Sequence, residues 1–242
     1  MDSNELEQTL VLIKPDALKN SLTGYVLSQL SEFHTGLRFA GAKIVHVSKM
    51  LAEEHYAEHR GKPFFSSLLE YIMGSIHYPN DPWKRRVIAF VYQGTEAIAK
   101  IRDIAGPTNP HIARDQKPGS IRALGTVVPI KDAAGNVISD RLDNLIHASA
   151  FSSEAEREIK LWFKPSDIPP LMHPYPTEVS RDHYYFKDNK LYGTYEPDSV
   201  GFIAPGDVAW KSDLDTLRLL NQGLTAPCSF ASVVAKYLIN LQ

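Results

Sequence analysis

"NLIHASAFSSEAEREI", residues 144–159, brings two periodicities together within a few turns of chain. NLIHAS is a short apolar run of the kind that forms a buried strand. SSEAEREIKLWF (152–163), which follows after Ala150-Phe151, has helical spacing, with Ser152 or Ser153 as the expected cap. A lone titratable ring, His147, therefore stands where a strand gives way to a helix. That join sets the class as mixed α and β, and the segments before it can be read with the same two periods.

TLVLIKPDA (9–17) is an aliphatic run that predicts a buried strand ending at Pro15. TGYVLSQLSEFHTG places Tyr25, Val26, Leu30 and Phe33 at helical spacing, with Gly36 as the stop. LRFAGAKIVHVSKM alternates as a second strand. LAEEHYAEHRGKPFFSSLLEYIMG reads as two helical pieces broken at Gly61 and Pro63. RVIAFVYQG is a third strand, and TEAIAKIRDIAG a helix opening at Thr95 and closing at Gly106. With NLIHAS as the fourth strand, the order fits an α+β fold of ferredoxin-like type: a four-stranded antiparallel sheet with helices on one face. KPSDIPPLMHPYP cannot continue the last helix, so the chain divides into residues 1–165 and a small C-terminal extension, 166–242. The extension holds aromatic, turn-rich segments and two helices, SDLDTLRLLNQG and SFASVVAKYLINLQ.

Of 242 residues, 43% are hydrophobic and 22% charged, the balance of a globular chain with a real core. A formal net charge of -2 excludes a general polyanion binder, so no specific nucleic-acid partner is expected. Lys84-Arg85-Arg86 is the one cationic block and reads as a solvated loop. A single cysteine, Cys228, excludes an internal disulfide and a cysteine zinc site. The acidic start, MDSNELEQTL, lacks signal-peptide regions, and no apolar run spans a bilayer, so a cytoplasmic protein with no membrane partner is expected. Walker and dinucleotide-binding motifs are absent. His55 and His59 sit four apart and could touch one metal ion, but with no third ligand an exposed helical pair is the better reading.

Four stretches concentrate polar residues at element ends: IKPDA, HYAEHRGKPFF, IRDIAGPTNP…KPGSIR and NLIHAS…EAEREI. Together, in this order, they resemble nucleoside diphosphate kinases from about Thr9 to Pro165. The resemblance implies a ferredoxin-like fold. It also implies transfer of the γ-phosphate of a nucleoside triphosphate to a nucleoside diphosphate, by a ping-pong route through a phosphohistidine. His147 stands in the place of the nucleophile. Alone it would read as a histidine satisfied at a strand end; the other three motifs favour the nucleophile, and a neutral imidazole is competent near physiological pH.

The resemblance assigns the rest residue by residue. Glu158 matches the glutamate bonded to the ring, Ser149 the serine supporting it, and Tyr56 a tyrosine near the histidine. Lys14 matches the lysine that reaches phosphate and ribose, Arg102 and Arg122 the phosphate-binding arginines, and Thr108 a hydroxyl donor. Arginine suits that task because its planar fork holds two oxygens at once. Phe64 matches the phenylalanine that stacks on the base, with Phe65 left to the core, and Asn144 matches the asparagine that bonds the ribose. No residue reads a base edge, so broad specificity is implied. Magnesium is expected on the nucleotide phosphates, with no protein metal site, and a homo-oligomer built from dimers is implied.

The chain departs from the family at HASAF (147–151), where the usual sequence is H-G-S-D-S. Ala150 and Phe151 replace an acid and a serine, which bears on rate more than on fold. SIHYPNDPWKRR, NPHIARDQKPGS and TVVPIKDAAGNVISDRLD lengthen three connections, the last with AAGN as a hairpin turn. These departures motivate two other readings: a nucleotide-binding or scaffold protein that keeps the fold without turnover, and a protein histidine kinase passing phosphate from His147 to another protein.

Overall fold

The computed structural model of the chain describes residues 6–132 and 134–239. The acidic opening residues, Ala133 in the AAGN turn and the last three residues fall outside that range. In chain order the elements begin with β1 (Leu6–Ile13), α1 (Pro15–Lys19), α2 (Thr23–Gln29), α3 (Glu32–Thr35), β2 (Arg38–Val45) and α4 (Lys49–His55). Next come α5 (Phe65–Ile72), β3 (Val87–Thr95), α6 (Ala97–Ala105), α7 (Pro110–Gln116), β4 (Thr126–Lys131), β5 (Val137–Asp143), β6 (Ile146–Ala148) and α8 (Ser152–Trp162). The remainder is β7 (Thr177–Val179), β8 (Tyr184–Lys187), β9 (Lys190–Tyr192), β10 (Val200–Ile203), β11 (Val208–Trp210), α9 (Lys211–Asn221) and α10 (Phe230–Val234).

The main sheet runs β2-β3-β1-β6, four strands, with every neighbouring pair antiparallel. Side chains of a strand alternate between faces, and β1 is buried on both. Leu10 and Leu12 join Leu51, Ala52, Ile159 and Trp162 on the side of α4 and α8. Val11 and Ile13 join Val26, Leu30, Ala97 and Ile101 on the side of α2 and α6. Helices thus cover both faces rather than the one face expected, because the four-residue aliphatic run of β1 offers apolar side chains in both directions.

Three local expectations change in detail. TGYVLSQLSEFHTG forms two short helices, α2 and α3, and Phe33 is fully exposed while Val26 and Leu30 are buried. Thr95 ends β3, and Glu96, at φ 54°, precedes α6. Helix α8 starts at Ser152, so Phe151 occupies the cap position and offers no side-chain acceptor there. The Glu154 carboxylate instead accepts from the Ala150 N–H.

The TVVPIKDAAGNVISDRLD segment is a β-hairpin, β4 against β5, turned by Asp132, whose carboxylate accepts from the N–H groups of Ala134 and Asn136, each at 2.9 Å. Beyond α8 the chain stays against the first part. Trp210 is fully buried, lies in the same cluster as Trp162 and Phe163, and donates its indole N–H to the Phe163 carbonyl at 2.8 Å. Ala235 and Ile239 complete that cluster. A smaller core of Tyr184, Ile203, Leu214, Leu217 and Val233 holds the C-terminal strands and helices together.

Candidate active site

Strand parity places the histidine. In β6, Ile146 and Ala148 point into the core on the α2/α6 side, so His147 between them faces α4 and α8. It pairs in register with Leu12 at the centre of the sheet. There its Nε2 lies 2.8 Å from Oε2 of Glu158, on the first turns of α8. The same carboxylate oxygen accepts the Ser149 hydroxyl at 2.7 Å, and Ser149 Oγ accepts the Leu10 N–H at 3.2 Å. An ionised Glu158 fixes the ring proton on Nε2 and leaves the Nδ1 lone pair facing the cleft. Burial, and then the charges of Lys14 and Arg122, hold the imidazole well below its ordinary pKa, hence neutral.

His55 is the third member of this group and not half of an exposed pair. It is 2% exposed, its ring 4.6 Å edge-on to that of His147. α4 ends at His55, and His59 belongs to a separate short turn, Ala57–His59, so the two do not share a helical face. Trp162 donates its indole N–H to His55 Nδ1 at 3.2 Å, which makes Nδ1 an acceptor and the ring neutral. Burial agrees, pushing its pKa down to about 3. His55, His147 and Glu158 lie close enough together to share a metal ion, but each already has a hydrogen-bonding role in this arrangement.

A cleft of about 510 Å³ opens in front of His147. Lys14, Tyr56, Phe64, Arg102, Thr108, Arg122, Asn144, His147 and Glu158 all line it; Ser149 lies behind, fully buried. The Lys14 ammonium bonds the Asn144 side-chain oxygen, and the Asn144 amide donates to the Thr108 carbonyl at 2.8 Å. Burial draws Lys14 down to about 8, against the opposing pull of Asp16. Arg122 is 5% exposed and donates to the carbonyls of Gly106, at 3.0 Å, and Ile146, at 3.3 Å, while its Nε has no partner among the described residues. Burial and the neighbouring Arg102 lower it to about 10. Gly106 is required for this loop: its φ is +80°, and a Cβ there would clash with the Ser120 side chain. Phe64 is 43% exposed at the cleft wall, whereas Phe65 packs into the core as expected.

Sequence reasoning passed over several residues of this site. Asp16 is fully buried and accepts the Leu145 N–H at 2.8 Å, holding the turn before β6; an acid after Lys-Pro at a strand end was its only signal. Tyr71 lines the cleft floor under Lys14, whose Nζ is 4.6 Å from the ring centroid. Arg141, Asp140 and Leu142 of the hairpin form part of the wall, and no local pattern announced them.

The comparisons agree with this geometry. The family model described as nucleoside diphosphate kinase matches residues 7–168. A nucleoside diphosphate kinase of Pyrococcus furiosus is 40% identical over 165 residues, covering 68% of this chain and 88% of that protein. Among solved structures, the Aquifex aeolicus nucleoside diphosphate kinase superposes with a TM-score of 0.55 at 30% identity, over 68% of this chain and all of that one. The Borrelia burgdorferi enzyme, solved as a transition-state mimic with vanadate and ADP, gives 0.51 at 30% identity, over 68% of this chain and 90% of that one. The family model spans most of the chain, and relatives at about 40% identity and solved structures agree with it, so the chain belongs to the nucleoside diphosphate kinase family.

Proposed function

We propose that His147 carries the phosphoryl group between nucleotides, with Nδ1 as the attacking atom. In the first half-reaction Nδ1 attacks the γ-phosphorus of a nucleoside triphosphate. The P–N bond forms as the bond to the bridging oxygen breaks, and the nucleoside diphosphate leaves. In the second, a terminal phosphate oxygen of an incoming diphosphate takes the group and restores the free ring. Phosphoryl transfer asks the protein chiefly for position and charge stabilisation. Lys14, Arg102 and Arg122 supply the charge, and the Thr108 hydroxyl donates a hydrogen bond. Glu158, braced by Ser149, holds the ring proton on Nε2; Tyr56 packs on His55, ring centroids 4.6 Å apart, and His55 in turn packs on His147. Phe64 offers a face to the base, and Asn144 its amide to the ribose.

One observation carries this reading most directly. Lys14 and Arg122 are buried beside a neutral imidazole, and among the described residues the guanidinium of Arg122 has carbonyl partners alone, with its Nε unsatisfied. A buried guanidinium with no carboxylate partner among the described residues fits an anionic substrate that completes the site. The vanadate and ADP complex of the Borrelia enzyme supports the same reading. Magnesium, bound with the nucleotide, would neutralise phosphate charge. Beside His147, the carboxylates of Glu154 and Glu158 are engaged with Ala150 N–H and with His147 and Ser149, which fits a cation brought in on the phosphates. The chain works as a homo-oligomer built from dimers; β2 is an outer strand of the sheet with Ile44 63% exposed, which supports assembly there.

The test is a chase. γ-labelled ATP with magnesium should label the protein, and added GDP should discharge the label into GTP, while His147→Ala takes up none. Bound nucleotide without labelled protein would overturn the reading, and label that no diphosphate discharges would point to a protein acceptor.

A further inference from the structure

Two segments that lengthen the chain meet beside the cleft, where His77 contacts Asp143. Helix α5 supplies one wall, through Phe64 at its cap and Ser67, Leu68 and Tyr71 along it. The hairpin supplies another, through Ile130, Asp140, Arg141 and Leu142. The walls are joined by His77, in the segment after α5. Its ring lies 5.3 Å from that of Tyr71, and its Nε2 is 2.9 Å from Oδ2 of Asp143 at the end of β5. Asp143 in turn holds Arg141 by a fork, Nε to Oδ1 at 2.7 Å and Nη2 to Oδ2 at 3.1 Å. Burial alone would raise the Asp143 pKa, yet His77 and Arg141 hold it below the usual carboxylate range, so it stays an anion.

This arrangement costs the chain a buried acid and a buried histidine, 8% and 7% exposed, to fix one arginine side chain. A fork that engages one edge of a guanidinium sets the plane of the group. Nη1 has no protein partner among the described residues, and Arg141 remains at the cleft surface. On the α5 wall Phe64 is 43% exposed. Guanidinium planes stack on π systems. A fixed arginine plane and an open aromatic ring on two walls of one cleft suit a flat, uncharged ring system between them.

We propose that Arg141 is a second base-contacting residue, its guanidinium plane stacking on the nucleobase from the hairpin wall while Phe64 stacks from the α5 wall, and that His77 and Asp143 are its positioning residues. The inference rests on the reading of this cleft as the nucleotide site and deepens it. A stack needs no particular base edge, so every base is accepted, but a purine presents more face than a pyrimidine. The hairpin therefore grades substrates by ring size without excluding any.

Calorimetric titration of the full-length protein with GDP, CDP and pyrophosphate tests this. Arg141→Ala should weaken GDP about five- to tenfold, within the range seen for loss of one stacked partner, CDP by less, and pyrophosphate not at all. Arg141→Lys, which keeps the charge and loses the plane, should resemble Arg141→Ala toward GDP, and carries the same test should the alanine variant not fold. Asp143→Asn should weaken GDP in the wild type and add nothing in the Arg141→Ala background, since its effect passes through Arg141. Equal losses for GDP and pyrophosphate would make Arg141 a phosphate ligand and overturn the proposal. Unchanged GDP affinity in an enzyme that still labels on His147 would overturn it alone. A wild-type protein that binds no GDP would overturn it together with the reading of the cleft.

Discussion

Leu145 adopts φ 69°, a region that costs a non-glycine residue roughly 1–2 kcal/mol. The conformation is held from both sides: Asp16 accepts its N–H, and its carbonyl accepts the Lys14 N–H at 2.9 Å. The turn it makes lets Asn144 reach Lys14 and sets the parity that aims His147 at α8 rather than into the α2/α6 core. Lys14 is thereby tied to the site by both backbone and ammonium, and its burial has a measurable consequence. Its pKa stands near 8 rather than 10.5, and only the protonated form attracts phosphate. As pH rises through about 8, the free enzyme loses that charge, so kcat/KM for nucleotide should fall. Bound phosphate favours the cation, so kcat should begin its fall at higher pH. A kcat/KM profile that stays flat from pH 8 to 10 would place Lys14 outside the phosphate contacts.

Helix α8 shows how far a sequence reaches at the scale of an element. Its existence and its end before Lys164-Pro165 follow from apolar spacing and the proline, and Glu158 was marked by the family resemblance; its first residue was not legible. Ser152 and Ser153 looked like caps, yet both lie inside the helix, with Phe151 extended at the cap, 60% exposed, and Glu154 taking the Ala150 N–H. Phe151→Ser should therefore add a side-chain acceptor and stabilise the protein by about 1 kcal/mol, read as a rise in Tm. An unchanged or lower Tm would mean that Phe151 contributes packing worth at least as much. The site divides in the same way. His147, Glu158, Lys14 and the two arginines were legible because each sits in a short motif at an element end. Asp16, His55 and the His77–Asp143 link were not, because Asp16 meets Leu145, His55 meets Trp162 and His77 meets Asp143 across 66 to 129 residues of chain, and one chain carries no signal for such pairings. The apolar run of β1 likewise shows burial but not the number of helical layers, which depends on what else the chain brings to the second face.

At the scale of the whole molecule, the segment after α8 acts as part of the core. Trp210, Ala235 and Ile239 cover the outer side of the cluster that contains Trp162, and Trp162 holds His55 behind the nucleophile. α10 packs on α4 and α8, and its Ser229 donates to the Glu54 carboxylate at 2.9 Å. Each large apolar side chain buried there contributes about 1.5–3 kcal/mol, and a domain's whole stability is about 5–15 kcal/mol. Ending the chain after Ile168 should therefore give a form that aggregates or melts well below the full chain. A short form that is soluble, with unchanged Tm and turnover, would show that the segment is dispensable to the fold. The most direct test of the mechanism remains at one atom. Protein reacted with ATP and magnesium, digested at alkaline pH to preserve phosphoramidate and mapped by mass spectrometry and ³¹P–¹⁵N correlation, should carry phosphate on Nδ1 of His147, and Glu158→Gln should lower the yield. Phosphate on Nε2, on another residue, or on none would contradict the role of the Glu158–His147 pair.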